Sequence, residues 1–161
     1  MAAASETGEA MDGMAQLRAM RERGGGAPML ELMGLKLVEV EPGRAVFEGT
    51  PERRHYNPIG TVHGGYAATL LDSACGIAMH SKIAAGQGWT TLELKVAYHR
   101  ALTERSGRVR AEGRIVSSGR RAAFAEAQLF DGEGRLCASA TSTLLVFDLP
   151  RTGGATAKEA S

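Results

Sequence analysis

The sequence predicts an α+β fold in which one central helix packs against an antiparallel sheet of five to six strands. A stretch after residue 63 has apolar residues at helical spacing, and alternating apolar and polar residues flank it on both sides. Turn residues separate the alternating stretches. The predicted order is two strands, one helix, then three or four strands. A chain of 161 residues is long enough to bury a core as one domain.

The elements before the central helix are short. Residues 14–23 and 28–33 favour two short helices, and Gly24-Gly25-Gly26 are suited to end the first. Residues 35–41 and 45–50 alternate as two antiparallel strands joined by a turn at Pro42-Gly43. Residues 51–60 form a polar loop.

The central helix is predicted from residue 64 to about residue 83. It is rich in alanine and glycine, so a sheet can approach it closely. Its apolar stripe consists of Ala67, Leu70, Leu71, Ala74, Ile77 and Ala78.

The strands after the helix are predicted to have one buried and one exposed face. Residues 122–130 and 135–147 form two further strands around a hairpin turn at 131–134, and residues 117–120 form another turn. The alternating apolar residues are Leu92, Leu94, Val96 and Tyr98 in one strand and Val109, Ala111, Gly113 and Ile115 in the next.

Composition narrows the classes of function. The net charge of +1 favours neither nucleic acid nor an anionic membrane, and no apolar run approaches a membrane span. Cys75 and Cys137 form no metal-binding motif and are expected to be reduced, buried thiols of a cytoplasmic protein. We expect a flexible N-terminal segment at 1–27, one domain at 28–147 and a flexible tail at 148–161.

The segment from Asn57 to Asp72 carries the candidate chemistry. Gly64 and Gly65 open the helix, where backbone N–H groups are free and the dipole is positive. An N–H aimed at a developing oxyanion accelerates acyl transfer. Alternatively, the two glycines only permit a tight turn.

Asp72 is an unusual residue for the middle of an apolar helix. It follows Leu70 and Leu71, and an unpaired buried carboxylate is costly. One interpretation is a nucleophile or general base kept in a partly dry site. The other is an exposed carboxylate on the polar edge of the helix.

The separation of Gly64 and Asp72 leads to a prediction about assembly. Eight residues of helix span roughly 12 Å, so one small reacting group cannot touch both positions of the same helix. If both act on one carbonyl, they come from two chains related by a two-fold axis. A catalytic site therefore requires a dimer.

Two polar residues precede the glycines. His63 is either catalytic or structural, and Asn57 either orients a water or carbonyl through its amide or forms the turn before Pro58.

Taken together, the pattern from Asn57 through His63-Gly64-Gly65 to Asp72, followed by the strand at 90–98, resembles the hotdog-fold thioesterases. The nearest branches are the PaaI-like and THEM-type acyl-CoA thioesterases, and the resemblance covers residues 32–147. It implies a helix wrapped by an antiparallel sheet, assembled into homodimers and usually homotetramers.

The resemblance also implies roles for individual residues. The Gly64 N–H polarises the thioester carbonyl, and Asp72 of the neighbouring chain attacks it or activates water. Asn57 and His63 position water or substrate near the leaving sulfur, and Thr91 assists the water.

Substrate contacts are expected at Gly65 and at the turn containing Ser118, Arg120 and Arg121, where the arginines would bind the phosphates of coenzyme A. Arg100 and Arg105 are further candidates, and solvated surface arginines are the alternative.

The predicted function is hydrolysis of an acyl-CoA to a free acid and CoA, with no metal or redox cofactor. The competing hypotheses are a hotdog dehydratase or hydratase and a non-catalytic acyl-CoA-binding sensor on the same fold. The sequence leaves the acyl group open.

Overall fold

The structure is a computed structural model that describes residues 11–24 and 26–150, and it shows one long helix packed on a six-stranded antiparallel sheet. The strand order is β1-β2-β4-β5-β6-β3. Two strands precede the long helix and four follow it, which confirms the predicted α+β fold. The bounds are α1 Gly13–Glu22, α2 Pro28–Leu32, β1 Leu35–Glu41, β2 Arg44–Gly49, α3 Gly64–His80, β3 Gln87–Tyr98, β4 Val109–Ser118, β5 Ala122–Phe130 and β6 Leu136–Asp148.

Helix α3 ends at His80, three residues earlier than predicted. The Ser81 hydroxyl donates to the Ala78 carbonyl at 2.7 Å and accepts the Gly43 N–H at 2.7 Å. A serine that bonds to the local backbone and to a neighbouring turn favours the end of a helix over its continuation. The contact also fixes the end of α3 against the β1–β2 turn.

A row of small residues lets α3 lie close to the sheet. Ala45, Gly113, Ala127 and Ala140 are side by side on β2, β4, β5 and β6. Ala74 of α3 packs directly on Gly113. The close approach predicted from the alanine-rich helix is confirmed.

Gly113→Ala is expected to lower the free energy of unfolding by about 1–3 kcal/mol, as overpacking of a core does. The added Cβ would lie 2.4 Å from the Ala74 carbonyl carbon and 2.8 Å from its Cβ, so helix and sheet must separate. Urea unfolding measures the change. Gly119→Ala is the control, because its Cβ meets nothing closer than the Ala122 carbonyl oxygen at 3.7 Å. Equal stability of the two variants would contradict the tight packing.

Strand β3 departs from the clean alternation predicted for it. Its pairing with β6 shifts at Leu92, which is an extra residue with a 61% exposed side chain. The bulge reverses which residues face α3. Before it, Trp89 and Thr91 contact the helix, and after it Leu94 and Val96 pack on the core. The predicted burial of Leu92 is therefore wrong.

A second bulge shortens the turn predicted at 117–120. The β4–β5 pairing shifts at Val116, whose side chain is exposed, and β4 continues to Ser118. The buried face of β4 otherwise follows the predicted alternation, with Val109, Ala111 and Gly113 inside. On the outer face, Arg110 donates to Glu39, Glu48 and Glu112.

The N-terminal helices agree with the sequence to within one residue. In α1, Leu17 is buried and the Gly13 N–H donates to the Ile83 carbonyl at 3.0 Å. Residues 13–22 therefore pack against the end of α3, although the domain was predicted to begin at residue 28.

At the C-terminal end of the described residues, the Leu149 N–H donates to the Gly86 carbonyl. Residues 1–10 and 151–161, within the predicted flexible segments, lie outside the described residues.

The β5–β6 hairpin depends on Asp131, whose carboxylate accepts the N–H groups of Glu133 and Arg135 at 3.0 Å and Nε of Arg135 at 2.8 Å. Burial alone raises the pKa of Asp131, but the hydrogen bonds from Arg135 and Glu133 outweigh it and hold the pKa below 3.8. Because the folded pKa is the lower one, the stabilisation is present above pH 3.8 and is lost as the pH falls through the folded pKa.

Asp131→Ala is expected to lower the free energy of unfolding by about 1–3 kcal/mol at pH 7, because it removes a buried acceptor of three donors. The difference from wild type should shrink as the pH is lowered below 4 or so, where wild type loses the same interactions. Thermal unfolding at pH 7 and pH 3 measures both effects. A difference that persists unchanged at pH 3 would exclude the carboxylate as its source.

Candidate active site

The start of helix α3 presents one backbone N–H without a partner. The His63 N–H donates to the His55 carbonyl at 2.7 Å, the Gly65 N–H to Nδ1 of His63 at 2.8 Å, and the Tyr66 N–H to the His63 carbonyl at 3.0 Å. The Gly64 N–H has no acceptor among the described residues. It lies in the first turn of a 17-residue helix and is partly exposed, so it is available to an oxygen of a ligand.

His63 is the N-cap of α3, so it has the structural role that the sequence analysis gave as one of its two alternatives. Because Nδ1 accepts the Gly65 N–H, the neutral ring carries its proton on Nε2. The side chain is exposed, and Nε2 is therefore a donor that a substrate can reach. Capping and substrate contact use different nitrogens and are compatible.

Asn57 closes the loop that leads into the helix. Its Oδ1 accepts the N–H groups of Ile59 at 3.1 Å and Thr61 at 3.2 Å, and its Nδ2 donates to Oγ1 of Thr61 at 3.0 Å. Gly60 has a φ of 88°, which the turn requires and glycine adopts without strain. The turn-forming interpretation of Asn57 is confirmed, and one Nδ2 hydrogen remains for a ligand.

Asp72 lies in the middle of α3 with a hydroxyl beside it. Its Oδ1 accepts a hydrogen bond from Oγ1 of Thr91 on β3 at 3.0 Å. The side chain is partly buried, between the fully buried Leu71 and Ala74 of the core. The structure thus brings Thr91 into contact with Asp72, and the Asp72 side chain is partly buried and not exposed as in the second interpretation.

Asp72 and Gly64 do not meet within one chain. Gly64 is the first residue of α3 and Asp72 the ninth, so their separation along the helix is about 12 Å. The carboxylate and the free N–H can act on one carbonyl only if each comes from a different copy of the chain.

A cavity of about 470 Å³ opens beside Gly64, a volume typical of ligand sites. Tyr98 lines it and donates from its hydroxyl to the Gly64 carbonyl at 3.0 Å. The floor is apolar, with Val62 and Leu102, while the exposed Arg100 stands at its edge. Arg100 was only a further candidate in the sequence analysis, and the contact of Tyr98 with Gly64 was not predicted.

The other arginines lie elsewhere. Ser118 is exposed at the end of β4, Arg120 and Arg121 are exposed on the β4–β5 turn, and the Arg121 carbonyl accepts the N–H of Val146. Val146 pairs with Trp89 at the start of β3, whereas Gly64 lies near the end of that strand at Tyr98. The structure does not bring this turn to the helix start of the same chain.

Three further features of the described residues concern metal ligands, membrane spans and cysteines. Within residues 11–24 and 26–150, no cluster of three or more histidine, cysteine or acidic side chains is placed to hold a metal ion, and no helix has the length and apolarity to cross a membrane. Cys75 and Cys137 are buried and unpaired. Burial, with a smaller effect of the Asp72 charge, raises the pKa of Cys75 to about 12, so its thiolate is not a candidate nucleophile.

Several known proteins are similar to this chain in sequence. The model of the thioesterase superfamily matches residues 59–138, which include the whole of α3. The proofreading thioesterase EntH of Klebsiella pneumoniae is 30% identical over 109 residues, covering 68% of this chain and 78% of that protein. A putative esterase of Pseudomonas aeruginosa is 32% identical over 125 residues, covering 77% of this chain and 90% of that protein.

A solved structure supports the same assignment. A mutant of the phenylacetic acid degradation protein PaaI of Thermus thermophilus superposes with a TM-score of 0.67 and 34% identity, covering 73% of this chain and 97% of that protein. The predicted hotdog fold and the PaaI-like resemblance are confirmed. On these similarities of sequence and fold, the chain belongs to the thioesterase superfamily.

Proposed function

We propose that this protein hydrolyses acyl-CoA thioesters to a free carboxylic acid and CoA, in a site shared by two copies of the chain. The observation that carries the proposal is the pair of groups on α3. The Gly64 N–H is without an acceptor among the described residues, and the Asp72 carboxylate is held by Thr91. An oxyanion donor and a carboxylate are the two groups that acyl transfer to water needs.

The proposed reaction begins when the thioester carbonyl oxygen accepts the Gly64 N–H of one copy. Asp72 of the other copy then either attacks the carbonyl carbon or removes a proton from an attacking water. The carbon–sulfur bond breaks, and the CoA thiolate takes up the proton that Asp72 removed from water or, after direct attack, a proton from solvent. After direct attack, water hydrolyses the acyl–Asp72 anhydride and restores the carboxylate.

The neighbouring residues would assist this chemistry. Thr91 fixes one carboxylate oxygen, which leaves the other free to react. The exposed Nε2 of His63 and the free Nδ2 hydrogen of Asn57 are donors for the departing sulfur or the incoming water.

We further propose that the dimer forms along β3. This strand is at the edge of the sheet, so one side of its backbone has no neighbouring strand among the described residues. It also lies over Asp72 through Thr91 and over Gly64 through Tyr98. Pairing of two β3 edges about a two-fold axis would place both ends of the site at one interface, and two such dimers would form a tetramer.

Two sets of arginines are proposed to contact the phosphates of CoA, at different positions. Arg100 lies at the edge of the cavity beside Gly64, and Arg120 and Arg121 lie on the exposed β4–β5 turn that follows Ser118. The arm that joins the nucleotide to the sulfur is long, so a surface turn can bind the nucleotide while the thioester lies in the cavity. Gly65 also lines the cavity beside Gly64, and we propose that its backbone contacts the substrate, because glycine has no side chain to obstruct the approach.

The second candidate function is a non-catalytic module that binds acyl-CoA on the same fold. The cavity beside Gly64 favours binding in general and does not by itself require turnover. The Thr91–Asp72 contact favours catalysis, because binding a neutral thioester needs no carboxylate at that position.

A thiol-release assay over a panel of aliphatic and aromatic acyl-CoAs tests the proposal, since each turnover frees one CoA thiol. Release that depends on enzyme concentration supports it. Saturable binding of acyl-CoA by calorimetry without thiol release would favour the binding module. Thioesters on a carrier protein, tested in parallel, would show whether the nucleotide of CoA is needed.

A further inference from the structure

The face of α3 that carries Asp72 continues to a glycine and a histidine. Gly76 and His80 follow Asp72 at intervals of four residues, so all three lie along one side of the helix. On the facing strand, Thr91 donates to Asp72, and Nε1 of Trp89 donates to Nδ1 of His80 at 3.0 Å. These five residues form what we call the α3–β3 seam.

Trp89 occupies the place that a side chain at residue 76 would take. A Cβ on Gly76 would lie 2.3 Å from Cη2 of the indole and 2.8 Å from Cζ3, so the ring lies flush on the helix backbone. The His80 ring meets it edge-on, with the ring planes at 83°. Burial lowers the pKa of His80, which keeps its Nδ1 free to accept near neutral pH. The indole is therefore held in one position.

The ring lies close to the reacting group. One helical turn separates residues 72 and 76, about 6 Å along the axis, and Trp89 lies two positions before Thr91 in the strand, about 7 Å away. The indole is only partly buried, so part of it is open to a ligand. An acyl group that extends along the seam from a carbonyl at Asp72 would reach the ring after a short chain or a single aromatic ring.

The polarity of the two sides of the site favours this direction for the acyl group. The cavity beside Gly64 has the exposed His99 and Arg100 at its edge, which suits the polar and anionic CoA arm. The seam beyond Asp72 offers the partly exposed indole of Trp89, which suits an apolar acyl group.

We propose that Trp89, lying on Gly76 and hydrogen-bonded to His80, is the end wall of the acyl site and restricts the substrates to short-chain or single-ring acyl groups. The inference rests on the acyl-CoA hydrolysis proposed above. It makes Trp89 a residue that determines specificity and takes no part in the bond-breaking steps.

The first test compares Trp89→Ala with wild type on butanoyl-CoA and dodecanoyl-CoA. Removing the wall is expected to raise the kcat/KM for dodecanoyl-CoA relative to butanoyl-CoA by about tenfold or more, the discrimination that apolar pockets give. Phe124→Ala is the control, because Phe124 is an exposed aromatic residue on β5, outside the seam. An unchanged ratio in an active Trp89→Ala enzyme would overturn the inference.

The second test does not depend on the folding of a Trp89 variant. Trp89 is the only tryptophan of the chain, so its fluorescence reports on this position alone. In Asp72→Asn, which is expected to bind substrate without turning it over, butanoyl-CoA should change the emission saturably and CoA alone should not. Binding of butanoyl-CoA detected by calorimetry with no change in emission would place the acyl group elsewhere and refute the wall.

The two tests separate the inference from the function on which it rests. If wild type releases thiol from no acyl-CoA, the proposed hydrolysis fails. If wild type hydrolyses acyl-CoAs but the chain-length ratio of Trp89→Ala equals that of wild type, the hydrolysis stands and the wall is wrong.

Discussion

Asp72→Asn is expected to lower kcat/KM for acyl-CoA hydrolysis about a thousandfold or more, as the loss of a nucleophile or general base does. Asparagine has the same shape and can still accept the Thr91 hydroxyl, which contacts Oδ1 at 3.0 Å in the wild type. The substitution therefore removes the negative charge and leaves the site in place. Thiol release measures the rate, and calorimetry checks that acyl-CoA still binds.

Two further variants make this result specific. Ser73→Ala changes the next residue of the helix, which is also partly buried but is not the hydrogen-bond partner of Thr91, and it should keep nearly the wild-type rate. Thr91→Val removes only the hydroxyl that orients the carboxylate and is expected to cost about tenfold, by analogy with losses of a single positioning hydrogen bond. A fully active Asp72→Asn enzyme would exclude Asp72 as the catalytic carboxylate.

Much of this site follows from residue types and spacing. The interval from Gly64 to Asp72 on one helix was enough to predict that the two groups cannot meet within a chain, and α3 has both where expected. The role of Thr91 was implied by the family resemblance alone. Its hydroxyl does contact Asp72 in the structure. Helical period and spacing along a helix depend on local geometry, which the sequence specifies directly.

What the sequence could not predict depends on backbone hydrogen bonding between distant strands. The bulge at Leu92 changes which alternate residues of β3 face α3. Trp89 and Thr91 face the helix before the bulge, and the opposite set of alternate residues faces it after the bulge. Residue types alone gave a regular alternation there, because a bulge changes pairing and not composition. The contact of Tyr98 with Gly64 was missed because it joins residues 34 positions apart. The packing of α1 was missed because it depends mainly on one leucine, Leu17.

Gly64→Pro is expected to lower kcat about a hundredfold to a thousandfold, the effect of losing one oxyanion-hole donor. Proline is suited to the first position of a helix, where its missing N–H breaks no helical bond. Gly64 holds that position in α3, and His63 before it has a φ of −60° and a ψ of 136°, an extended conformation that a following proline favours. The substitution thus removes the donor and preserves the helix.

Gly64→Ala is the matched control for this change. Alanine keeps the N–H but adds the same Cβ, which would lie 3.0 Å from the Tyr98 hydroxyl and 3.1 Å from its Cζ. A decrease in kcat that both variants share reports on crowding against Tyr98. The additional decrease in kcat of Gly64→Pro reports on the loss of the N–H. Equal rates for the two variants would show that the Gly64 N–H does not stabilise the oxyanion.

Mixing two inactive variants then asks whether the site is shared. In a dimer of one Asp72→Asn chain and one Gly64→Pro chain, one site has both Asp72 and the Gly64 N–H, and the other has neither. Random exchange in a one-to-one mixture should restore about a quarter of the wild-type activity, because half of the dimers are mixed and each has one intact site. If the carboxylate and the donor belonged to the same chain, every site would lack one of them and no activity would return. Recovery of activity therefore distinguishes a site between chains from a site within one, and α3 predicts recovery because its two reactive groups lie about 12 Å apart.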